Sequence, residues 1–152
     1  MSTPSYTQMS MELSLPSELG YEVIARDAVA AFARRLGISA DRIEDLKTAL
    51  SEACINAIEH GNSLRPGLRV QVFCRVEEQQ LVIEVVDQGV SAFTPKGEPL
   101  TIVDKIAGVG SLRGMGLMLI SQLCDEAGFV PRGSGNCFRF AFHRTLAPGL
   151  KH

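Results

Sequence analysis

The chain has 152 residues, of which 45% are hydrophobic and 21% charged, and its formal net charge is −2 at pH 7. This is the length of one domain and the composition of an ordinary globular protein rather than a disordered one. The slightly negative charge argues against the basic surface that binding to duplex nucleic acid requires, so we expect no nucleic-acid partner.

The cysteines and the apolar segments limit the class of protein further. The four cysteines are Cys54, Cys74, Cys124 and Cys137. They form no CxxC pair and the histidines do not cluster, so the sequence predicts neither a zinc site nor a disulfide framework, and we expect reduced cysteines in the core. No segment approaches the roughly 18 apolar residues of a membrane span, and residues 1–8 lack the features of a secretory signal. We therefore expect a cytoplasmic protein without a membrane partner.

The first part of the chain predicts one strand and two helices. Residues 9–15 alternate between apolar and polar side chains, which is typical of a strand. A helical pattern of apolar residues then runs from residue 16 to Gly37, where glycine ends it. A second helical pattern extends from about Ser39 to His60 and is followed by Gly61-Asn62, a typical helix C-terminus.

A predicted hairpin and a long irregular segment come next. Residues 70–76 and 81–86 each place apolar side chains on one face of a strand, and the polar residues 77–80 form the turn between them. Residues 89–110 lose this periodicity and contain several prolines and glycines. Because structureless loops beyond about 15 residues are uncommon and usually functional, we interpret residues 90–113 as a lid.

The last predicted elements are a helix at about 114–127 and strands near 129–131 and 136–143, which gives the order βααββαββ. Short turns between successive strands favour a mixed, mostly antiparallel sheet with three helices on one face. The sequence therefore predicts an α/β two-layer sandwich. We place this single domain at 9–146, between tails at 1–8 and 147–152.

The second predicted helix carries three polar side chains at a spacing of four residues. On an α-helix Glu52, Asn56 and His60 form one stripe along the border of the apolar face. A carboxylate suits proton abstraction and an amide oxygen suits a hard cation such as magnesium, so the stripe indicates phosphate chemistry. An amphipathic helix with polar groups at its edge explains the same pattern, and the stripe alone does not decide between the two.

A second motif, Asp87-Gln88-Gly89, ends the second strand of the hairpin. The apolar run before Asp87 would bury its carboxylate unless a partner forms a hydrogen bond with it. The amino group of an adenine ring is such a partner. An Asp-x-Gly turn that binds no ligand is the commoner explanation of this motif by itself.

A glycine-rich segment leads into the last predicted helix. Its candidate residues are Gly108, Gly110, Arg113, Gly114, Met115, Gly116 and Leu117. Glycines let backbone amides close on phosphate oxygens, and a helix N-terminus favours their charge, although a flexible connector has the same composition. The chain contains neither a P-loop nor the motifs of eukaryotic-type kinases.

The order of the three motifs resembles that of the anti-sigma factor serine-protein kinases of bacteria, which belong to the wider class of ATPases with the Bergerat fold. The segment from Glu52 to Asn56, with His60, is similar to the N box of this family. The segment from Asp87 to Ser91 is similar to its G1 box, and the segment from Arg113 to Leu117 to its G2 box. The resemblance covers nearly the whole chain, and the serine at position 91 looks like the anti-sigma branch.

The resemblance implies a role for each motif. Asn56 would chelate magnesium, Glu52 would act as general base, and Asp87 would bind the adenine amino group of ATP. The remaining residues implied in nucleotide binding are His60, Gly89, Gly108, Gly110, Arg113, Gly114, Met115, Gly116 and Leu117. Arg113 could neutralise phosphate or be solvated on the lid, and His60 could instead cap the carbonyl groups of its helix.

The resemblance also implies an activity and partners. The expected function is that of an ATP- and magnesium-dependent serine/threonine-protein kinase and anti-sigma factor, which phosphorylates a small antagonist protein of the STAS type, sequesters a sigma factor and forms a homodimer. The alternative is a noncatalytic ATP-dependent binding switch. Glu52 distinguishes the two, since a pure switch needs no base near magnesium. We expect no helical phosphoacceptor segment before residue 16, which disfavours a two-component histidine kinase.

Overall fold

The structure is a computed structural model that describes residues 9–89 and 111–144. Its elements, in chain order, are strand β1 (Ser10–Pro16), helices α1 (Glu22–Arg35) and α2 (Ala40–Asn56), a π-helical turn (Ala57–Gly61), strands β2 (Arg69–Glu77) and β3 (Gln80–Val86), helix α3 (Ser111–Leu123), and strands β4 (Glu126–Val130) and β5 (Cys137–His143). Within the described ranges the predicted order βααββαββ is confirmed.

The strands form a five-stranded sheet in the order β1-β2-β3-β5-β4. All pairings within this sheet are antiparallel, so the predicted mixed sheet is entirely antiparallel in the described part. The register places Cys74 opposite Ile83, and Ile83 opposite Phe140. Because side chains alternate across a strand, apolar residues two apart on each strand lie on the same face.

That apolar face and the three helices enclose one hydrophobic core. The largest fully buried side chains include Leu46 and Leu50 from α2, Ile120 from α3 and Phe140 and Phe142 from β5. Helix α2 lies between α1 and α3 and contacts both. The predicted two-layer α/β sandwich with the helices on one face is therefore confirmed.

Several boundaries differ from the predicted ones. Helix α1 begins at Glu22 rather than at residue 16, because the segment after β1 forms turns before the helix starts. At the start of α2, the Ser39 side chain accepts a hydrogen bond from Arg42 N (3.3 Å), as an N-cap should. Helix α3 starts at Ser111 and ends at Leu123, so β4 begins earlier than predicted.

The largest difference is at the end of the second predicted helix. The α-helix ends at Asn56, and residues Ala57–Gly61 form a π-helical turn, in which Asn62 N donates to the Ala57 carbonyl (2.8 Å). The prediction of one continuous α-helix to His60 is wrong. A π-turn contains more residues than an α-turn, so His60 does not continue the four-residue spacing of Glu52 and Asn56.

Three of the four cysteines are buried and Cys124 is half-buried, all four as thiols, which agrees with their prediction as core residues. Among the described helices, none has the length and apolar character needed to span a bilayer.

Candidate functional site

Helix α2 places Glu52 and Asn56 one turn apart on the same side. Glu52 is partly exposed, whereas Asn56 retains only 7% of its accessible surface. The neighbouring positions Ala49, Leu50, Ala53 and Cys54 are buried in the core and fix the helix. The two polar side chains therefore stand on a rigid element at the border of the core, as the sequence predicted.

The side-chain oxygen of Asn56 is buried, and no residue in ranges 9–89 and 111–144 gives it a hydrogen bond. Leaving a buried polar atom unsatisfied costs about 1–3 kcal/mol, and such atoms in native proteins call for an explanation. An amide oxygen is a ligand that magnesium accepts. The orphaned Asn56 Oδ1 thus fits a hard cation such as magnesium.

Asp87, directly after β3, is buried and held by several N–H donors. Its Oδ1 accepts hydrogen bonds from Gly89 N (2.7 Å), Asn136 N (3.1 Å) and Asn136 Nδ2 (3.1 Å). Its Oδ2 accepts a longer one from Asn136 Nδ2 (3.4 Å). The predicted strand-end carboxylate is therefore buried at 5% exposure and acts as a hydrogen-bond acceptor.

The π-turn brings the end of the N-box helix against Asp87. A Cβ atom added to Gly61 would overlap Asp87 Oδ2, so only glycine allows this approach without a shift. The following residue, Asn62, is fully buried, donates to Ser17 Oγ (2.9 Å) and to the Arg69 carbonyl (3.0 Å), and accepts from Gln88 N (2.8 Å). Asn62 thereby ties the end of the π-turn to the residue after β1, to β2 and to the residue after Asp87.

Two glycines adopt left-handed backbone conformations where the β3 end meets the β4–β5 loop. Gly89 has φ +68°, and a Cβ there would lie 2.6 Å from Gly135 Cα. Gly135 has φ +77°, and a Cβ there would overlap the Asp87 carbonyl oxygen. Glycine avoids both problems, so the loop can pack directly against the segment that carries Asp87.

Helix α3 brings the last glycine motif to Glu52. A Cβ atom on Gly116 would lie 3.1 Å from Glu52 Oε1, so the carboxylate rests against the glycine. Leu117 is 1% exposed and belongs to the core; its predicted nucleotide contact stays a prediction, and its burial favours a packing role.

Other predicted site residues have less structural description. Arg113, Gly114 and Met115 lie in the first turns of α3. Gly108, Gly110, Ser91 and most of the predicted lid 90–113 lie outside the described residues, as do the predicted tails. His60 is half-exposed within the π-turn.

Sequence reasoning missed two buried asparagines, Asn62 and Asn136. The sequence pattern predicts Asn62 only as a helix end and Asn136 only as the start of a strand. The alternation of side chains along the strand is a usable signal for Asn136. It lies two residues before Phe138 and hence on the same face as Phe138, Phe140 and Phe142. A polar side chain on an otherwise apolar face indicates a specific buried partner.

Cavity volume alone does not locate this site. A cavity of about 670 Å³ lies over the sheet face opposite the helices, beside Phe73, Arg75 and Glu84, and none of the predicted site residues lines it. A smaller one, of about 410 Å³, touches Asp87 and Gln88 and is also lined by Arg69 and Arg132. The convergence of a carboxylate, an unsatisfied amide and a strand-end carboxylate around α2 defines the candidate site instead.

The chain is similar in sequence to proteins of one known family. The sequence pattern of the histidine kinase-like ATPase domain matches residues 15–142. The chain is 38% identical over 123 residues to the serine-protein kinase RsbW of Bacillus velezensis, and 35% identical over 123 residues to that of Bacillus subtilis. In both cases the match covers 76% of this chain and 74% of the relative.

A solved structure shares the fold. The crystal structure of the RsbU and RsbW domains of a Mycobacterium tuberculosis protein matches with a TM-score of 0.60 at 18% identity. The match covers 95% of this chain and 33% of that longer chain, so this chain spans about a third of the solved chain. At this identity, the similarity concerns the fold alone.

Proposed function

This chain belongs to the histidine kinase-like ATPase family, in the group of the serine-protein kinases RsbW, and from that membership we propose that it is an ATP-dependent serine/threonine-protein kinase that acts as an anti-sigma factor. Its substrate in this proposal is a small antagonist protein of the STAS type, and its second partner is a sigma factor. The proposal includes a homodimer, and the cytoplasm as the compartment, where ATP is available.

The observation that carries the proposal is the orphaned Asn56 Oδ1, one helical turn after Glu52. A buried amide oxygen without a partner has no structural use in the described part of the chain, but it suits a hard cation. Magnesium, when bound there with ATP, would spread the negative charge of the phosphates. Glu52, partly exposed at the same border, remains available for a proton.

The spacing of the site suits an extended nucleotide. An α-helical rise of about 1.5 Å per residue is the upper value for this segment because its last five residues are π-helical, so the backbone of Glu52 lies at most about 13 Å along the helix axis from that of Gly61, which touches Asp87. The base would lie at the Asp87 end, as acceptor recognition of the adenine amino group requires. The phosphates would lie toward Glu52 and Gly116, at the N-terminal half of α3, where backbone amides and the helix dipole favour negative charge.

The proposed reaction transfers the terminal phosphoryl group of ATP to a serine hydroxyl. Glu52 accepts the hydroxyl proton as the serine oxygen forms its bond to phosphorus, and the bond between phosphorus and the leaving ADP oxygen breaks. Positioning and electrostatic stabilisation supply most of the acceleration in such reactions. The contact between Glu52 and Gly116 supports this role, because it holds the carboxylate beside the glycine motif.

The Glu52→Gln variant tests the proposal. It keeps the shape of the side chain and one acceptor oxygen, but its amide cannot take a proton at neutral pH, so phosphotransfer should fall on the order of 10²–10⁴-fold while ATP affinity changes little. Transfer from labelled ATP to a candidate antagonist is measured beside ATP binding by calorimetry. The exposed Glu59→Gln substitution on the π-turn is the matched control and should leave both unchanged.

Full transfer by the Glu52→Gln variant would contradict the assignment of the base. If the unaltered protein and the Glu52→Gln variant both bind ATP and neither transfers a phosphoryl group, the result would support the noncatalytic switch instead. The two partners are tested by mixing the protein with the candidate sigma factor or antagonist in the presence of ATP or ADP and measuring co-elution.

A further inference from the structure

We propose that Asn136 is a positioning residue that sets the preference of the site for a 6-aminopurine over a 6-oxopurine, by orienting the carboxylate of Asp87. This inference rests on the proposed function, in which Asp87 binds the adenine amino group. Asn136 lies 49 residues after Asp87 in the sequence, at the end of the β4–β5 loop, and is 9% exposed.

The contacts between the two residues separate into a main-chain part and a side-chain part. Asp87 N donates to the Asn136 carbonyl (3.0 Å), and Asn136 N donates to Asp87 Oδ1 (3.1 Å). The first bond extends the pairing of β3 with β5 by one step, and the second joins the Asn136 main chain to the Asp87 side chain. Neither needs a particular side chain at position 136. The side-chain amide adds bonds to Oδ1 (3.1 Å) and Oδ2 (3.4 Å) of the carboxylate.

Those side-chain bonds fix how the carboxylate is turned. The amide can face both oxygens only with its NH₂ group, since its own oxygen would repel them. Gly61 packs directly against Oδ2. Gly89 N and Asn136 N hold Oδ1 alone, whereas the Asn136 amide contacts both oxygens, so the amide restricts rotation of the carboxylate plane.

The consequence concerns the base that can bind. The carboxylate oxygens of Asp87 act as hydrogen-bond acceptors, so a ligand must offer them a donor. The amino group of a 6-aminopurine is such a donor. A 6-oxopurine presents an acceptor at the same place, which leaves two acceptors facing each other. By holding the carboxylate in one orientation, Asn136 gives the amino group a better aligned acceptor, and the difference between the two bases increases.

The test compares ATP, GTP and purine riboside triphosphate, which lacks a substituent at position 6, on the full chain. Asn136→Ala removes the side-chain amide and keeps both main-chain bonds. Its affinity for ATP should fall about tenfold, the effect of one well-aligned hydrogen bond of about 1.4 kcal/mol. Its affinity for purine riboside triphosphate should change by less than about twofold, because that ligand has no amino group for Asp87 to bind.

Ser134→Ala provides the matched control, because Ser134 is exposed in the same loop and should leave all three affinities unchanged. In an Asp87→Ala background, Asn136→Ala should have almost no further effect on ATP affinity, since the carboxylate it orients is gone. Equal weakening of ATP and purine riboside triphosphate, or a full tenfold loss in the Asp87→Ala background, would overturn the inference.

A second variant covers the case in which Asn136→Ala does not fold. Asn136→Asp keeps the shape but sets two carboxyl groups against each other, so ATP affinity relative to the unaltered protein should recover as the pH falls from 8 to 6 and one group takes a proton. An affinity ratio that is constant with pH would contradict the positioning role. Absence of ATP binding by the unaltered protein would instead remove the proposed function itself.

Discussion

At the scale of single residues, two buried asparagines six positions apart differ in whether their side chains are fully hydrogen-bonded. Asn56 is buried with its oxygen unsatisfied in the described part of the chain, whereas Asn62 is buried with its side chain making three hydrogen bonds of 2.8–3.0 Å. Buried polar groups stabilise a fold only when they are paired. Asn62 therefore serves the fold, and Asn56 is retained at the expense of stability, as residues of functional sites often are.

Leucine substitutions at the two asparagines should have opposite effects. Asn56→Leu replaces an amide with an unsatisfied oxygen by an apolar group of similar size, so the free energy of unfolding should stay the same or rise by about 1 kcal/mol. Asn62→Leu leaves its partners Ser17 and Gln88 unpaired and should lower it by about 2–4 kcal/mol. Urea unfolding measures both.

The stabilisation by magnesium-ATP should also distinguish Asn56→Leu from the unaltered protein. Magnesium-ATP should raise the melting temperature of the unaltered protein and fail to do so for Asn56→Leu. A large loss of stability in Asn56→Leu would mean that its oxygen has a structural partner, and the magnesium assignment would lose its support.

At the scale of elements, the site is made where α2 meets α3 and where the π-turn meets the end of β3. The contact between Gly116 and Glu52 is tight, since a Cβ on Gly116 would lie 3.1 Å from Oε1. The backbone of Gly116 is helical without a positive φ, so its glycine is explained by proximity to Glu52 rather than by backbone conformation.

Gly116→Ala should therefore separate stability from activity. Alanine is favoured over glycine inside a helix by up to about 1 kcal/mol, so the unfolding free energy should not fall. The new methyl group should displace the Glu52 carboxylate and lower phosphotransfer at least about tenfold, since small misplacements of catalytic groups have large effects on rate.

Gly133→Ala is the control for this experiment, because Gly133 has open space around it and its φ is not positive. It should change neither quantity. Unaltered transfer by Gly116→Ala would show that the contact with Glu52 has no part in the reaction.

At the scale of the whole molecule, one core joins the sheet to three helices. Cys54 and Cys74 belong to this core, Cys124 packs against it, and Cys137 is buried on the other face of the sheet. Burial raises the pKa of Cys54 and Cys74 to about 12, and those of Cys124 and Cys137 to about 11, above the ordinary value of 9.0. The thiolate is the reactive form of cysteine. The folded protein should thus keep all four thiols protonated and unreactive at neutral pH.

The raised pKa values also predict alkaline instability. The folded state holds these protons to a higher pH than the unfolded state, so the stabilisation is complete below about pH 9 and is lost as the pH rises toward 11–12. The urea midpoint should be lower at pH 10 than at pH 7.5, and less so in a Cys54→Ala variant. Disulfide exchange with a chromogenic reagent at pH 7.5 should be slow until urea unfolds the chain; rapid reaction in the folded protein would contradict the closed core.

The sequence by itself determined the order of the elements, the two layers and the three motifs, because hydrophobic periodicity and short motifs are local properties of the chain. Only the tertiary structure decided that α2 ends in a π-turn, that Gly61 and Asn136 enclose Asp87, and that Gly116 rests against Glu52. The contacts of Gly61, Asn136 and Gly116 join residues 26–64 positions apart, and such contacts depend on how strands and helices pack. The hydrogen-bond partner of Asn136 is determined by the fold, and the sequence on either side of Asn136 does not identify it.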